Sequence, residues 1–248
     1  GFLEGVRALA NEKGIVLVFD ECTSGFRETF GGLHKKYGVE PDIALFGKTL
    51  GNGYAITATI GRREVMEAAQ STFISSTFWT ERIGPTAALK TLEVMERINS
   101  WDTITATGNT IREGWSKLAA RHQLGISHWG LPSLAGYTFA GEKSLEYKTL
   151  VTQEMLDRGF LAGTSVYSCI AHTPEVLERY FAALDPVFAL KTLLDELGSP
   201  HRDCRQLGAK LHPKNGRGSY LFNSTIAGAD HADAVLLIGA DPRKEAAV

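Results

Sequence analysis

Two short motifs, one acidic and one basic, follow apolar runs that are typical of strands covered on both faces. Asp20 comes directly after the run 15–19 (IVLVF), and Lys48 follows the run 43–46 (IALF) and one glycine. The carboxyl ends of neighbouring parallel strands meet in one crevice, where open α/β sheets bind ligands. Asp20 and Lys48 could therefore form a catalytic pair in which the lysine supplies a nucleophilic amine. Spacing alone leaves open the alternative that the acid is a cap or a surface pair and that the lysine is solvated.

Other motifs that carry chemistry are incomplete. The segment ending at Lys48 has Asp42 where a phosphate-binding P-loop requires glycine, and Ile56 stands where a dinucleotide fingerprint requires its third glycine. Ser165 does not lie in the Gly-x-Ser-x-Gly turn of a hydrolase nucleophile. The seven histidines show no metal-ligand spacing with cysteine, so we predict no metal site. The pair of Asp20 and Lys48 is thus the best candidate for a catalytic site.

The predicted elements around this pair alternate between helix and strand. An opening helix ends at Gly14, and strand candidates then alternate with short helices, which indicates an α/β sheet. From Gly84 onward helical spacing dominates. Thr173 and Pro174 open a further helix, as its cap and its first-turn proline. The predicted strands are 15–19, 43–46, 58–61, 134–139 and 234–239, and the shorter predicted helices are 33–37 and 147–156.

Composition restricts the partners. The chain has 248 residues and a formal charge of 26 − 28 = −2, so no basic field would attract nucleic acid. The apolar run 234–240 is far shorter than the ~20 residues that span a bilayer, which predicts no membrane insertion. Three widely spaced cysteines and the absence of a signal-peptide pattern predict a reducing, cytoplasmic setting. The first residue is not methionine, which suggests that the sequence begins partway through a gene.

Several ordered motifs resemble the cofactor core of class III aminotransferases. The likeness extends over about residues 1–186, and within the family the motifs most resemble the glutamate-1-semialdehyde aminomutase-like branch. It implies a pyridoxal 5'-phosphate (PLP)-dependent transferase of fold type I, with a partial large domain at 1–95 and a small C-terminal α+β domain at 96–186. The motifs that carry it are 18–27 (VFDECTSGFR), 37–42 (YGVEPD), 46–53 (FGKTLGNG), 61–66 (GRREVM) and 75–78 (SSTF).

The resemblance implies a role for five side chains. Lys48 would form the Schiff base with PLP and move the proton between substrate and cofactor. Asp20 would keep the pyridine nitrogen protonated, so that the ring can withdraw electrons. Cys22, where the family more often has Val or Ile, would lie against the ring face, and Thr23 would lie near the ring hydroxyl. Thr77 would reach the cofactor phosphate across a homodimer interface.

The implied activity is amino-group transfer, or amino migration, on a small amino acid or amino-aldehyde. Family members also have an N-terminal half with the phosphate-binding loop and much of the substrate pocket, which this sequence lacks. Because phosphate binding depends on oriented backbone N–H groups, we expect this chain alone to bind PLP weakly and to have little activity. The segment 79–85 (WTERIGP) departs from the family pattern, either as a loop variant or as a change in substrate choice.

The C-terminal segment, about 190–248, has a different resemblance. It is similar to the molybdopterin-oxidoreductase-like domain of the large iron–sulfur subunit of respiratory complex I, although Leu207 stands where that family commonly has an acid. We assign 187–248 to this α/β fragment and place the join near 184–191, as an artificial chimera or a natural fusion. The alternative functions are a fragment of an NADH-quinone oxidoreductase subunit and a non-catalytic interaction protein on a PLP-type fold. The motifs are 193–206 (LLDELGSPHRDCRQ), 208–211 (GAKL), 223–228 (NSTIAG), 232–239 (ADAVLLIG) and 241–245 (DPRKE).

Overall fold

The computed structural model describes residues 1–75, 77–78 and 80–196, all of which fall within one unit of the chain. The strand expected at 234–239 and residues 197–248 of the fragment assigned to 187–248 lie outside the described residues. Among the helices of the described part, none is long and apolar enough to cross a bilayer.

A three-stranded sheet carries the two motifs with chemical potential. Its order is β1 (Val18–Asp20), β2 (Ile43–Phe46) and β3 (Ala58–Gly61). Strands β1 and β2 run parallel, with Asp20 opposite Leu45, and β3 pairs antiparallel with β2. The α/β class and the bounds of β2 and β3 are as the sequence predicts.

The first strand differs from the expectation of a run buried on both faces. Strand β1 begins only at Val18, and the side chains of Ile15, Val16 and Val18 are 57%, 49% and 45% exposed. The reason is that β1 is the edge strand of the described sheet, with β2 as its neighbour on one side. The apolar run is present as predicted, but the described part of the chain buries only some of its side chains.

Helix α1 (Phe2–Lys13) precedes the sheet and ends as predicted. Gly14 adopts the left-handed conformation, with φ 64°, and its N–H caps the last turn. The short helices α2 (His34–Tyr37) and α3 (Arg63–Met66) connect the strands. A 3₁₀ turn at Lys48–Leu50 follows β2, and another at Glu67–Ser71 follows α3.

A second group of elements forms the larger core. It consists of α4 (Ile83–Ile98), α5 (Ser100–Arg121), β4 (Ile126–Trp129), a 3₁₀ turn (Pro132–Leu134), β5 (Gly136–Phe139), α6 (Ser144–Asp157) and α7 (Pro174–Glu196). Strands β4 and β5 pair antiparallel. The predicted strand 134–139 is therefore two residues shorter, and β4 was not predicted. Helix α6 contains the predicted helix 147–156.

Helix α7 begins as the sequence predicts and continues through the expected join. Thr173 Oγ1 accepts a hydrogen bond from the Val176 N–H at 3.4 Å, so it caps the helix. Leu184, Val187 and Phe188 are fully buried in the second core, together with residues of α5, β5 and α6. The helix thus contributes side chains from both sides of residue 186 to one core.

Candidate active site

The structure brings Asp20 and Lys48 to the same edge of the sheet. Asp20 is the last residue of β1, and the Glu21 N–H extends the pairing with a 2.8 Å hydrogen bond to the Leu45 carbonyl oxygen. Lys48 lies three residues beyond Leu45, at the start of the 3₁₀ turn. This is the carboxyl end of two neighbouring parallel strands, where α/β sheets bind ligands.

Lys48 is held in a constrained backbone position. Its φ is 35°, in the left-handed region that a lysine rarely adopts, and buried Leu50 anchors the same turn. Its exposed side chain reaches across to the loop after β1, where Nζ donates a hydrogen bond to Thr23 Oγ1. Such backbone conformations occur at sites where the surrounding structure fixes a functional group.

Asp20 presents an exposed, ionised carboxylate. Its Oδ1 accepts a hydrogen bond from the Cys22 backbone N–H at 3.0 Å. This bond, a second one from the Cys22 thiol and the charge of Lys48 hold the pKa of Asp20 below its ordinary value. The carboxylate therefore remains negative at neutral pH and can bind a cationic N–H group.

Cys22 lies between these two groups. A β-carbon added at Gly47 would be 3.3 Å from the Cys22 Sγ, so the glycine allows the thiol to approach the chain that precedes Lys48. Burial, followed by the hydrogen bond to Asp20, raises the pKa of the Cys22 thiol. A neutral thiol acts here as a packing group, since the nucleophile is the thiolate.

The loop after β1 is fixed by Glu21, a residue to which the sequence analysis assigns no role of its own. Glu21 is 4% exposed, and its carboxylate accepts hydrogen bonds from the N–H and the Nδ1 of His34, both at 3.0 Å, and from Ser24 Oγ. Although burial opposes ionisation, the bonds from Ser24 and the backbone hold the pKa of Glu21 below its ordinary value. The available signal was that Glu21 directly follows Asp20 at the end of the strand. Because side chains alternate between the two faces along a strand, Glu21 points inward where Asp20 is exposed.

Asp42 fixes the opposite end of the same strands. Its Oδ2 accepts hydrogen bonds at 2.8 Å from the Leu17 N–H and from Arg7 Nη1, and Arg62 Nη1 lies 3.3 Å from Oδ1. These contacts join α1, the beginning of β1 and the segment after β3. They hold together the amino ends of β1 and β2, and Asp20 and Lys48 lie at the carboxyl ends of the same two strands.

Thr77 lies away from this group. It occupies a turn before α4, and its side chain is exposed. Among the described residues, no hydrogen bond joins Thr77 to Asp20, Thr23 or Lys48. The structure thus brings together four of the five predicted residues, and Thr77 stays a separate prediction.

Comparisons with known proteins found relatives by sequence and by structure. The chain is 40% identical over 154 residues to the 3-aminobutyryl-CoA aminotransferase of Cloacimonas acidaminovorans (strain Evry), a match that covers 62% of this chain and 37% of that protein. The PLP internal aldimine form of the FumI protein of Sphingopyxis sp. MTA144 superposes with a TM-score of 0.72 at 26% identity, over 80% of this chain and 48% of that one. A transaminase with PLP bound has a TM-score of 0.68 at 22% identity, over 78% and 48%, and shows the fold alone.

The chain spans about half the length of these solved structures and 37% of the curated relative. Residues 181–248 match the molybdopterin oxidoreductase family, so the two-part resemblance is confirmed at the level of families. The fold type I class is confirmed as well, whereas the aminomutase branch stays a prediction. The class III aminotransferase family matches residues 1–174, and over those residues the chain belongs to that family.

Proposed function

We propose that residues 1–186 are the lysine-bearing half of a PLP-dependent class III transaminase that acts on a small amino acid or amino-aldehyde. The observation that carries this proposal is that Asp20 and Lys48 lie at the same edge of the sheet, where the Lys48 amine donates a hydrogen bond to Thr23. The activity of the Cloacimonas relative supports amino-group transfer over amino migration.

The donor set fits the cofactor. PLP offers a carbonyl carbon to an amine and a ring nitrogen to a carboxylate, and the exposed side chains of Lys48 and Asp20 supply one of each. The lowered pKa of Asp20 keeps the carboxylate ionised, which is the form that holds a protonated ring nitrogen. The Thr23 hydroxyl accepts a hydrogen bond from the Lys48 amine.

Each side chain then has a defined task. When bound, PLP supplies an electron-withdrawing ring that stabilises negative charge on the substrate carbon. Lys48 would hold the cofactor covalently and would move a proton to and from that carbon, while Asp20 would keep a proton on the ring nitrogen. Cys22 would pack against the ring, Thr23 would position the lysine amine, and Thr77 would reach the cofactor phosphate across a homodimer interface.

The length of the chain limits what it does alone. We propose that the phosphate-binding N–H groups and much of the substrate pocket belong to the half of the relatives that lies outside the match. The 248-residue chain should therefore bind PLP weakly and show little turnover. The expected partners are a small amino donor and acceptor, and no nucleic acid.

The direct test is PLP titration of the purified chain, followed by borohydride reduction and peptide mapping. We expect the label on Lys48, and its loss in Lys48→Ala. Lys117→Ala, which removes an exposed lysine from α5, is the matched control and should keep the label. Label spread equally over surface lysines, with the chain folded, would contradict a built site.

A second candidate concerns the C-terminal segment. The family match over 181–248 supports an origin in a molybdopterin oxidoreductase-like protein, and the sequence motifs resemble the complex I subunit among these. This segment holds one cysteine, too few for an iron–sulfur cluster. Amplification of genomic DNA across codons 181–191 distinguishes a natural gene fusion from an artificial chimera. A continuous product supports a natural fusion, and its absence supports a chimera.

A further inference from the structure

A cavity lies next to the turn that begins at Lys48, and Thr49 and Asn52 contribute to its lining. It has a volume of about 290 Å³, close to the lower end of the ~300–1000 Å³ typical of small-molecule pockets. Its walls come from the loop after β1, the turn after Lys48, helix α4, the start of α5 and residues 168–170. None of the five residues assigned to the cofactor lines it.

The charged side chains that line this cavity are both cations. They are Arg27 and Lys90, and no Asp or Glu contributes to the lining. Lys90 already pairs with Glu93 at 2.6 Å, whereas Arg27 has no ion pair with a carboxylate of the described residues. Arg27 is partly buried, and burial lowers its pKa from the ordinary value. A guanidinium that loses hydration without gaining a counter-charge is costly, so the position is suited to an anion.

The contacts of Arg27 leave its outer nitrogens available. Nε donates to the Thr23 carbonyl oxygen at 3.3 Å, and the guanidinium carbon lies 5.5 Å from the centre of the Tyr167 ring. The two contacts fix the plane of the guanidinium. The terminal Nη atoms form the fork that binds a carboxylate with two parallel hydrogen bonds.

Three hydroxyl groups of the lining have no partner within the described protein. They are Thr49 Oγ1, Ser100 Oγ and Ser168 Oγ, each of them buried. Ser168 is 1% exposed and Ser100 is 8% exposed. Because these three oxygens have almost no accessible surface, a ligand in the cavity does not reach them, and its polar anchor is the guanidinium of Arg27.

We propose that this cavity binds a small aliphatic carboxylate, with Arg27 as its anchoring cation. The rest of the lining is largely apolar, including Met95 and Ile104. An aliphatic chain fits such walls, whereas a single unpaired cation provides little for a compact dianion such as phosphate. The proposal does not rest on PLP, and its test requires no cofactor.

The test is calorimetric titration of the full 248-residue chain with hexanoate, 1-hexanol and inorganic phosphate. We expect saturable binding of hexanoate, and binding of hexanol and phosphate at least tenfold weaker. Arg27→Gln should weaken hexanoate binding by about tenfold or more, because a charge-assisted pair is lost. Arg97→Gln removes an exposed charge from α4 and should leave the affinity unchanged.

One further variant and the comparison with the alcohol separate binding from folding. Arg27→Lys returns the positive charge and should restore part of the affinity. Equal binding of hexanoate and hexanol to the unaltered chain would overturn the assignment even if Arg27→Gln lowers the melting temperature. Phosphate that binds as tightly as hexanoate would overturn the choice of a carboxylate.

Discussion

The side-chain amine of Lys48 donates a hydrogen bond to the hydroxyl of Thr23, which lies 25 residues earlier in the chain. This bond joins the loop after β1 to the turn after β2. The same threonine accepts a bond from Arg27 through its carbonyl oxygen. Thr23 thus links the lysine of the proposed cofactor site to the cation of the neighbouring cavity.

Substitution of Thr23 by valine tests the positioning of the lysine. Valine has nearly the same shape but lacks the hydroxyl, so Lys48 loses a hydrogen bond worth about 1 kcal/mol. We expect about fivefold slower trapping of PLP on Lys48, with an unchanged melting temperature. Borohydride reduction at several times and peptide mapping measure the rate. Thr138→Val, on the exposed face of β5, is the matched control, and an equal slowing there would remove the special role of Thr23.

Asp20→Asn tests the counter-charge. The amide keeps the size of the side chain but removes the charge that would hold a protonated ring nitrogen. We expect PLP affinity to fall by roughly 10–100-fold, since a hydrogen bond to a charged group contributes about 1.5–3 kcal/mol. Absorbance titration of the unreduced chain with PLP at pH 7 measures the affinity. Asp157→Asn, at the end of α6, is the control, and wild-type affinity in Asp20→Asn would contradict the assigned role.

Gly108→Ala tests the packing of α5 against the 3₁₀ turn. A β-carbon at Gly108 would overlap the Pro132 carbonyl group, which is backbone and cannot move aside easily. We expect the free energy of unfolding to fall by about 1–3 kcal/mol, as for overpacked cores. Urea denaturation measures this change.

Gly5→Ala is the matched control for that substitution. Gly5 lies within α1 with open space around its β-position, so alanine should stabilise the chain by about 0.4–1 kcal/mol. A similar effect of the two substitutions, in sign and size, would show that backbone entropy and not the close approach of Pro132 determines the result.

The sequence predicts the parts of the fold that depend on local patterns. The ends of β1 and β2, which place Asp20 and Lys48, follow from uninterrupted apolar runs and the turn residues after them. Strand β4 was missed because Ile126–Trp129 has only one partly buried residue, and its pairing with β5 alone defines it. The exposure of β1 was missed as well, since an apolar run does not reveal how many strands flank it.

The side-chain environment of the site could not be predicted in the same way. Glu21 and His34 are buried together, and Arg27 stacks on Tyr167 from a distant part of the chain. Such contacts depend on how elements approach in space. Residue types predict which groups can react, and the tertiary structure decides which of them lack a partner.

Asp42 provides the last prediction, which concerns stability and pH. Its carboxylate accepts hydrogen bonds from the Leu17 N–H and from Arg7. These bonds, in that order, lower the pKa of Asp42 in the folded chain below its ordinary value of about 3.9. A lowered folded-state pKa means that the unfolded chain binds the proton more readily. The contribution of Asp42 is therefore complete above about pH 5 and is lost as the pH falls through the folded-state pKa.

Asp42→Asn should accordingly reduce the free energy of unfolding at pH 7 by about 1.5–3 kcal/mol, as expected for hydrogen bonds to a charged group. The difference between wild type and variant should shrink as the pH falls below about 3.9, because the wild-type carboxyl becomes neutral. Urea denaturation from pH 7 to pH 3 measures both effects. Glu12→Gln breaks an exposed pair with Lys13 and should change stability by less than about 0.5 kcal/mol. A difference for Asp42→Asn that stays constant over this range would mean that the side chain acts through its shape and not through its charge.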